Sequence, residues 1–164
     1  MKKALLILLT ALPTLLAPLS TNAQNKKARL GVGVSSYSNN YGACVEFDVK
    51  FIHLDISSNL ASGEGRYVKY VSGDGVVEKT RWSTINIGTN IPLSKSVLVI
   101  PKIGYMSESD VVNYESVIKY YGYSNTKTSL SVGVDFTIDL NDYYIRFGAG
   151  NKNVAKLTVG VNLY

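Results

Sequence analysis

From Lys156 to Leu163 the chain alternates without interruption: Leu157, Val159, Val161 and Leu163 are apolar, while Thr158, Gly160 and Asn162 between them are small or polar. A period of two describes a strand whose two faces meet different solvents. The pattern recurs upstream until about eight such strands are counted, which few folds can accommodate in one domain.

Leu30, Val32 and Val34 alternate with Arg29, Gly31, Gly33 and Ser35, and Ser38-Asn39-Asn40 supplies turn chemistry. The sharpest case is Tyr41 to Lys50. There Tyr41, Ala43, Val45, Phe47 and Val49 oppose Gly42, Cys44, Glu46, Asp48 and Lys50. Phe51-Ile52-His53 changes the phase and reads as a tight turn, after which Leu54, Ile56 and Ser58 oppose His53, Asp55, Ser57 and Asn59.

From Ala61 to Lys79 the pattern dissolves into glycines, mixed charges and tyrosines, which reads as a long loop or a protruding hairpin. Trp82 to Leu93 alternates again, with Ile85, Ile87, Thr89 and Ile91 against Asn86, Gly88 and Asn90. In Val97 to Met106 the apolar set is Val99, Pro101, Ile103 and Tyr105, blurred by Leu98 and Ile100. Pro101 has no backbone donor and asks for a bulge or a strand end.

Ser107 to Thr126 reads as a second long excursion. Alternation restarts at Leu130, Val132, Val134, Phe136 and Ile138, turns at Asp139 to Asp142, and continues with Tyr143, Ile145, Phe147 and Ala149 against Tyr144, Arg146, Gly148 and Gly150. The connections after the second, fourth and sixth strands are short, and the long excursions follow the third and fifth. An up-and-down barrel with both termini in the periplasm distributes its turns and outer loops in this way.

Before the strands, Lys2 and Lys3 precede the apolar run Ala4 to Leu16, and Thr21-Asn22-Ala23 offers small residues for cleavage. Residues 1–23 therefore read as a signal peptide for the Sec pathway and 24–164 as the exported domain. Without Lys2 and Lys3 the basic count falls from 17 to 15 against 12 acids, a formal charge of about +3. Scattered charge of this size gives no electrostatic footprint for nucleic acid. Cys44 is the one cysteine, so no internal disulfide or cysteine metal cluster forms, and it reads as a small packing residue. After the leader no stretch reaches the roughly 18 apolar residues of a membrane helix, so a membrane location requires a closed sheet.

Alternation by itself fits a soluble lipocalin-like barrel with an apolar interior as well as a barrel with an apolar exterior. Aromatics near strand ends (Tyr37, Tyr41, Trp82, Tyr105 and Tyr143) suit the two interfaces of a membrane. The opposed faces carry Gly with charges of both signs, which fills a narrow lumen. The reading is an all-β, up-and-down antiparallel transmembrane β-barrel.

The passage Ile91-Pro92-Leu93-Ser94-Lys95-Ser96-Val97-Leu98-Val99-Ile100-Pro101-Lys102-Ile103-Gly104-Tyr105 resembles the small porin-like, OmpA/OmpX-type outer-membrane barrels of Bacteroidetes. The resemblance implies an eight-stranded fold in the bacterial outer membrane, assembled by the barrel-insertion machinery; it brings no catalytic residues. Barrels of this type end on an aromatic in phase with the lipid-facing set, whereas Tyr164 is out of phase with Leu163.

The expected interior charges are Arg29, Glu46, Asp48, Lys102, Asp135, Arg146 and Lys156, with Arg146 and Asp135 on neighbouring strands. A buried charge is tolerable when paired, so a cross-strand ionic network is expected; a gated ion path would require water-filled room. His53 with Asp55 is the one arrangement with general-base chemistry, and the topology assigns it to a periplasmic turn, away from lipid at the outer leaflet. A lipid-modifying enzyme is therefore the alternative rather than the expectation.

No carboxylate group has metal-cluster spacing and no phosphate loop is present, so no cofactor is expected. Tyr67, Tyr70, Tyr114, Tyr120, Tyr121 and Tyr123 crowd into 61–79 and 107–126. Tyrosine offers contact area at low entropy, so these loops are candidates for an extracellular partner; the competing reading is that they extend the sheet above the membrane.

Overall fold

The computed structural model describes residues 28–63, 65–69, 75–114, 118–151 and 154–163. Residues 1–23, expected to be a signal peptide, and Tyr70 and Tyr164 lie outside the described residues. Among the described residues there are ten strands: β1 Ala28–Tyr37, β2 Asn40–Val49, β3 Ile52–Ser58, β4 Arg66–Tyr67, β5 Val76–Thr89, β6 Ile91–Pro92, β7 Val97–Tyr114, β8 Tyr120–Leu140, β9 Tyr143–Gly150 and β10 Ala155–Leu163.

Eight of them form a ring. Antiparallel pairing runs β1-β2-β3-β5-β7-β8-β9-β10, and β10 returns to β1 with Val32 opposite Val159 and Ala28 opposite Leu163. Closure removes every free edge at membrane depth, where unpaired backbone groups have no water to bond. β6 is a two-residue pairing with β7, and β4 is a two-residue parallel pairing with β8.

The question left open by periodicity has a single answer around the ring. Val32, Val45, Ile56, Ile85, Leu130, Phe147 and Val159 face outward, while Cys44, Glu46, Asp55, Asp135, Arg146 and Thr158 are buried inside. A lipocalin-like barrel has the opposite arrangement, so the soluble reading is overturned. Trp82 is a correction as well. It is fully buried and meets Tyr37 edge-on at 6.1 Å inside the upper mouth, rather than standing in an interfacial belt. Tyr41, Tyr105 and Tyr143 do face outward.

Three boundaries also move. The second turn is Lys50-Phe51, with Lys50 in the left-handed region at φ 52°, so His53 belongs to β3 and points into the lumen. β5 begins at Val76, inside the stretch read as loop. The stretch 107–126 is mostly strand: β7 runs on to Tyr114 and β8 starts at Tyr120, making a tall hairpin. Its strands were hidden because neither face is uniformly apolar: polar residues fill both, and the successive Val111 and Val112 are both buried, so no period of two develops.

Pro101 lies within β7, and no register shift occurs there. The interruption is on the neighbouring strand instead. β5 pairs with β7 as far as Gly88 and Lys102, and β6 resumes at Ile91 and Val99, so the gap falls beside the proline that cannot donate. Beyond that gap Leu98 and Ile100 turn inward and close the lower lumen with hydrocarbon, and Ile91, opposite Val99, is buried as well.

Candidate functional site

The lumen holds the densest chemistry. Its upper and lower neighbours are apolar or aromatic, and its middle is ionic. Arg146 on β9 donates from Nε to Thr137 Oγ1 at 2.7 Å and from Nη2 to Asp48 Oδ2 at 2.6 Å, and its Nη1 is 2.7 Å from Glu46 Oε1. Lys156 Nζ on β10 lies 2.9 Å from Glu46, 3.3 Å from Asp55 and 2.6 Å from Asp135. Lys102 Nζ reaches Asp55 at 2.7 Å and Asp135 at 2.8 Å.

Arg29 sits toward the lower end. It donates to Asn162 Oδ1 at 2.9 Å and to Asp139 Oδ2 at 3.1 Å, and lies 3.6 Å from Asp48. All seven charged residues expected inside are buried. The partners are of two kinds: Lys102 with Asp135 and Arg29 with Asp48 are on neighbouring strands, whereas Arg146 pairs across the lumen with Glu46 and Asp48 of β2 rather than with Asp135, and Lys156 reaches Glu46, Asp55 and Asp135. In a narrow closed ring, long side chains from opposite walls meet in the middle, so adjacency along the sheet chooses only some of the pairs.

Two further residues make the network continuous. His53 places Nδ1 2.6 Å from Asp48 and Nε2 3.3 Å from Asp55, and Tyr144 donates to Glu46 Oε1 at 2.9 Å. Tyr144 fits because Gly31 and Gly160, paired across the β1–β10 seam, leave the space that a Cβ at either position would take. Among the described residues, five carboxylates (Glu46, Asp48, Asp55, Asp135 and Asp139) meet four permanent cations (Arg29, Lys102, Arg146 and Lys156). His53 lies between two of those carboxylates, and its Nδ1 is also 3.0 Å from Arg146 Nη1.

Glu46, His53 and Asp135 bring three potential ligand atoms within 4.8 Å of one another. A metal does not fit there, because Lys156 Nζ already lies between Glu46 and Asp135. Both nitrogens of His53 face carboxylates in a fully buried position, which leaves the imidazole no side for a substrate.

The tyrosine-rich segments form a second region above the ring. Tyr67, Tyr121 and Tyr123 pack as a cluster with ring centroids 5.5 to 6.1 Å apart. Tyr114 and Tyr120 instead pair across the end of the hairpin. Arg81 Nη1 donates to Tyr123 Oη at 2.9 Å and its guanidinium lies 5.1 Å from that ring centre. Alternation gave Asp55 and Tyr144 their inward phase, but neither Arg81 nor its neighbours carry a periodic signal, because strand register decides where they meet.

No protein-family model and no curated protein matches the chain. Solved structures do. The attachment invasion locus protein Ail of Yersinia pestis is similar over 84% of this chain and 97% of its own, with 11% identity and a TM-score of 0.52. Ail in complex with the heparin analogue sucrose octasulfate matches over 82% and 95%, with 11% identity and a TM-score of 0.51. Neisserial surface protein A matches over 83% and 94%, with 12% identity and a TM-score of 0.44. Similarity at this level concerns the fold, and it agrees with the geometry: the chain is a closed, eight-stranded, antiparallel up-and-down barrel of the transmembrane kind.

Proposed function

We propose that the protein is a non-enzymatic barrel of the bacterial outer membrane whose side-chain-filled lumen serves as a rigid core and whose upper sheet makes contacts outside the cell. The observation that carries this reading is the inversion of the usual protein: an outward hydrocarbon face all around a ring with a buried ionic centre. The nine residues of β10 rise about 30 Å along the strand, or about 23 Å along a barrel axis tilted by some 40°. That height matches the apolar band of about 25 Å in outer-membrane barrels.

In this reading residues 1–23 direct export through the Sec pathway, the barrel-insertion machinery folds the mature chain, and lipid is its constant partner. The resemblance to Bacteroidetes barrels supports the same location. The stretches 61–79 and 107–126 carry the outward contacts, supported by the cluster of Tyr67, Tyr121 and Tyr123. The sealed surroundings of His53 support a structural role for the lumen rather than lipid modification.

The test is recording across planar bilayers with the refolded mature chain, alongside heat-modifiable gel mobility in detergent. A filled lumen gives folded protein with no large steady conductance. An open, stable conductance sinks the filled core; absence of a heat-modifiable form sinks the membrane barrel itself.

A further inference from the structure

The outward phase of β5 and β7 changes character at one level. Ile85 pairs with Tyr105, and Tyr105 with Leu130, all three facing outward as the top rung of hydrocarbon. Two residues higher, on the same face, Ser83 pairs with Ser107, and Arg81 pairs with Ser109 one rung further. Ser109 Oγ and Thr126 Oγ1 are 2.9 Å apart. The loop after β3 crosses this outer face. Ala61 accepts from Tyr123 Oη at 3.4 Å, Gly63 lies against Tyr121, and β4 joins the top of β8.

Between loop and sheet lies a cleft of about 470 Å³ lined by Tyr67, Lys69, Arg81, Ser83, Ser107, Ser109, Tyr123 and Thr126. Its composition is specific: two cations, four hydroxyls of Ser and Thr, two tyrosines, and no carboxylate among the described residues. Its height is specific too. One outward rung is two residues, about 7 Å along a strand, so Ser83 and Ser107 stand within the polar zone of a leaflet, about 5 to 7 Å deep, and Arg81 and Ser109 start one rung above it. The cleft thus opens outward at headgroup depth, directly above the lipid-facing hydrocarbon of Ile85, Ile87, Ile103 and Tyr105.

We infer that this cleft binds the phosphorylated sugar headgroup of an outer-leaflet glycolipid, whose acyl chains lie against the hydrocarbon rungs beneath it. Arg81 is held in place by Tyr123 and offers a planar fork to phosphate, and Lys69 adds a second positive charge. The hydroxyl groups match a sugar, and a tyrosine ring gives it an apolar face to lie on. Continuity between the cleft and the outward band is what selects a lipid over a soluble phosphosugar. This inference rests on the outer-membrane reading.

The test uses the full mature chain in nanodiscs of phosphatidylethanolamine doped with bisphosphorylated lipid A, with dephosphorylated lipid A and a soluble deacylated phosphosugar as the other arms. Heat-modifiable mobility is measured first; if the chain does not fold in bilayers, the membrane reading fails with it. In folded protein, native mass spectrometry should show retained bisphosphorylated lipid A, with roughly tenfold weaker retention for Arg81→Gln and again for Lys69→Gln. Lys127→Gln, on the hairpin but outside the cleft, should leave retention unchanged. Equal retention of the dephosphorylated lipid, unchanged retention in the two cleft variants, or equal binding of the soluble phosphosugar would overturn the inference while leaving the barrel intact.

Discussion

β8 carries one outward face through two environments. Between Leu130 and Leu140 that face is hydrocarbon, with Leu130, Val132, Val134, Phe136, Ile138 and Leu140 in phase. Above Leu130 the same phase holds Thr128, and the neighbouring strands contribute Ser107, Ser83 and Arg81. The strands do not end at this boundary; the pairing of β7 with β8 continues across it to Tyr114 and Tyr120, with one register shift between Glu108 and Asp110. What changes is the solvent. A strand alternates only where its two sides meet different media, so the pattern reports the membrane and not the strand.

The lumen gives the matching contrast. Inside the hydrocarbon rungs its charged groups are buried and paired, whereas Arg81, Ser107 and Ser109 of the protruding sheet are only half-buried. The largest effect should come from breaking the sealed part. Arg146→Met removes the cation shared by Glu46 and Asp48, and leaving buried carboxylates unpaired should lower stability by about 3–5 kcal/mol. Urea unfolding of the refolded barrel in vesicles measures it. A loss below about 1 kcal/mol, the usual worth of exposed ion pairs, would mean that water reaches the lumen.

The two halves of the β8 outward face can be compared directly. Val134→Arg, set in the hydrocarbon rungs, should cost about 2–4 kcal/mol, and Thr128→Arg, above them, about 0–1 kcal/mol. Equal costs in the same vesicle titration would put the membrane boundary elsewhere. His53→Gln keeps much of the side chain's volume but cannot reach both Asp48 and Asp55 as the two ring nitrogens do. A loss of about 1.5–3 kcal/mol is expected, the range of hydrogen bonds to charged groups; a neutral outcome would remove His53 from the network.

The smallest effect belongs to the outer cluster. Tyr67→Ala removes two ring contacts, with Tyr121 and Tyr123, each worth about 0.5–1.5 kcal/mol. Its main readout is local: limited proteolysis should cut the loop after β3 faster, while the unfolding midpoint of the barrel barely moves. A large global loss would show that the protruding sheet and the ring unfold as one unit.

Alternation determined a great deal. It identified the ring strands at membrane depth, the inward phase of Arg29, Glu46, Asp48, Lys102, Asp135, Arg146 and Lys156, and the outward phase of the Val, Leu and Ile set. It failed wherever its physical basis was missing. In Val76 to Arg81 the residues are exposed or half-buried on both faces, and in Ser107 to Tyr114 polar residues fill both faces around the consecutive buried pair Val111 and Val112, so strands looked like loops. At Trp82 an aromatic suited to an interface stands instead in the mouth, because its phase matches Thr84 and Asn86.

Sequence therefore decided which residues share a face, since that depends on neighbours two positions apart. Tertiary structure alone decided which face is inside, because inward and outward phases are equivalent until the sheet closes. It also chose the partners. Arg146 meets Glu46 and Asp48 across the lumen, and Arg81 meets Tyr123 across the outer wall. Those meetings are set by ring curvature and strand register, which bring together residues 98 and 42 positions apart in the chain.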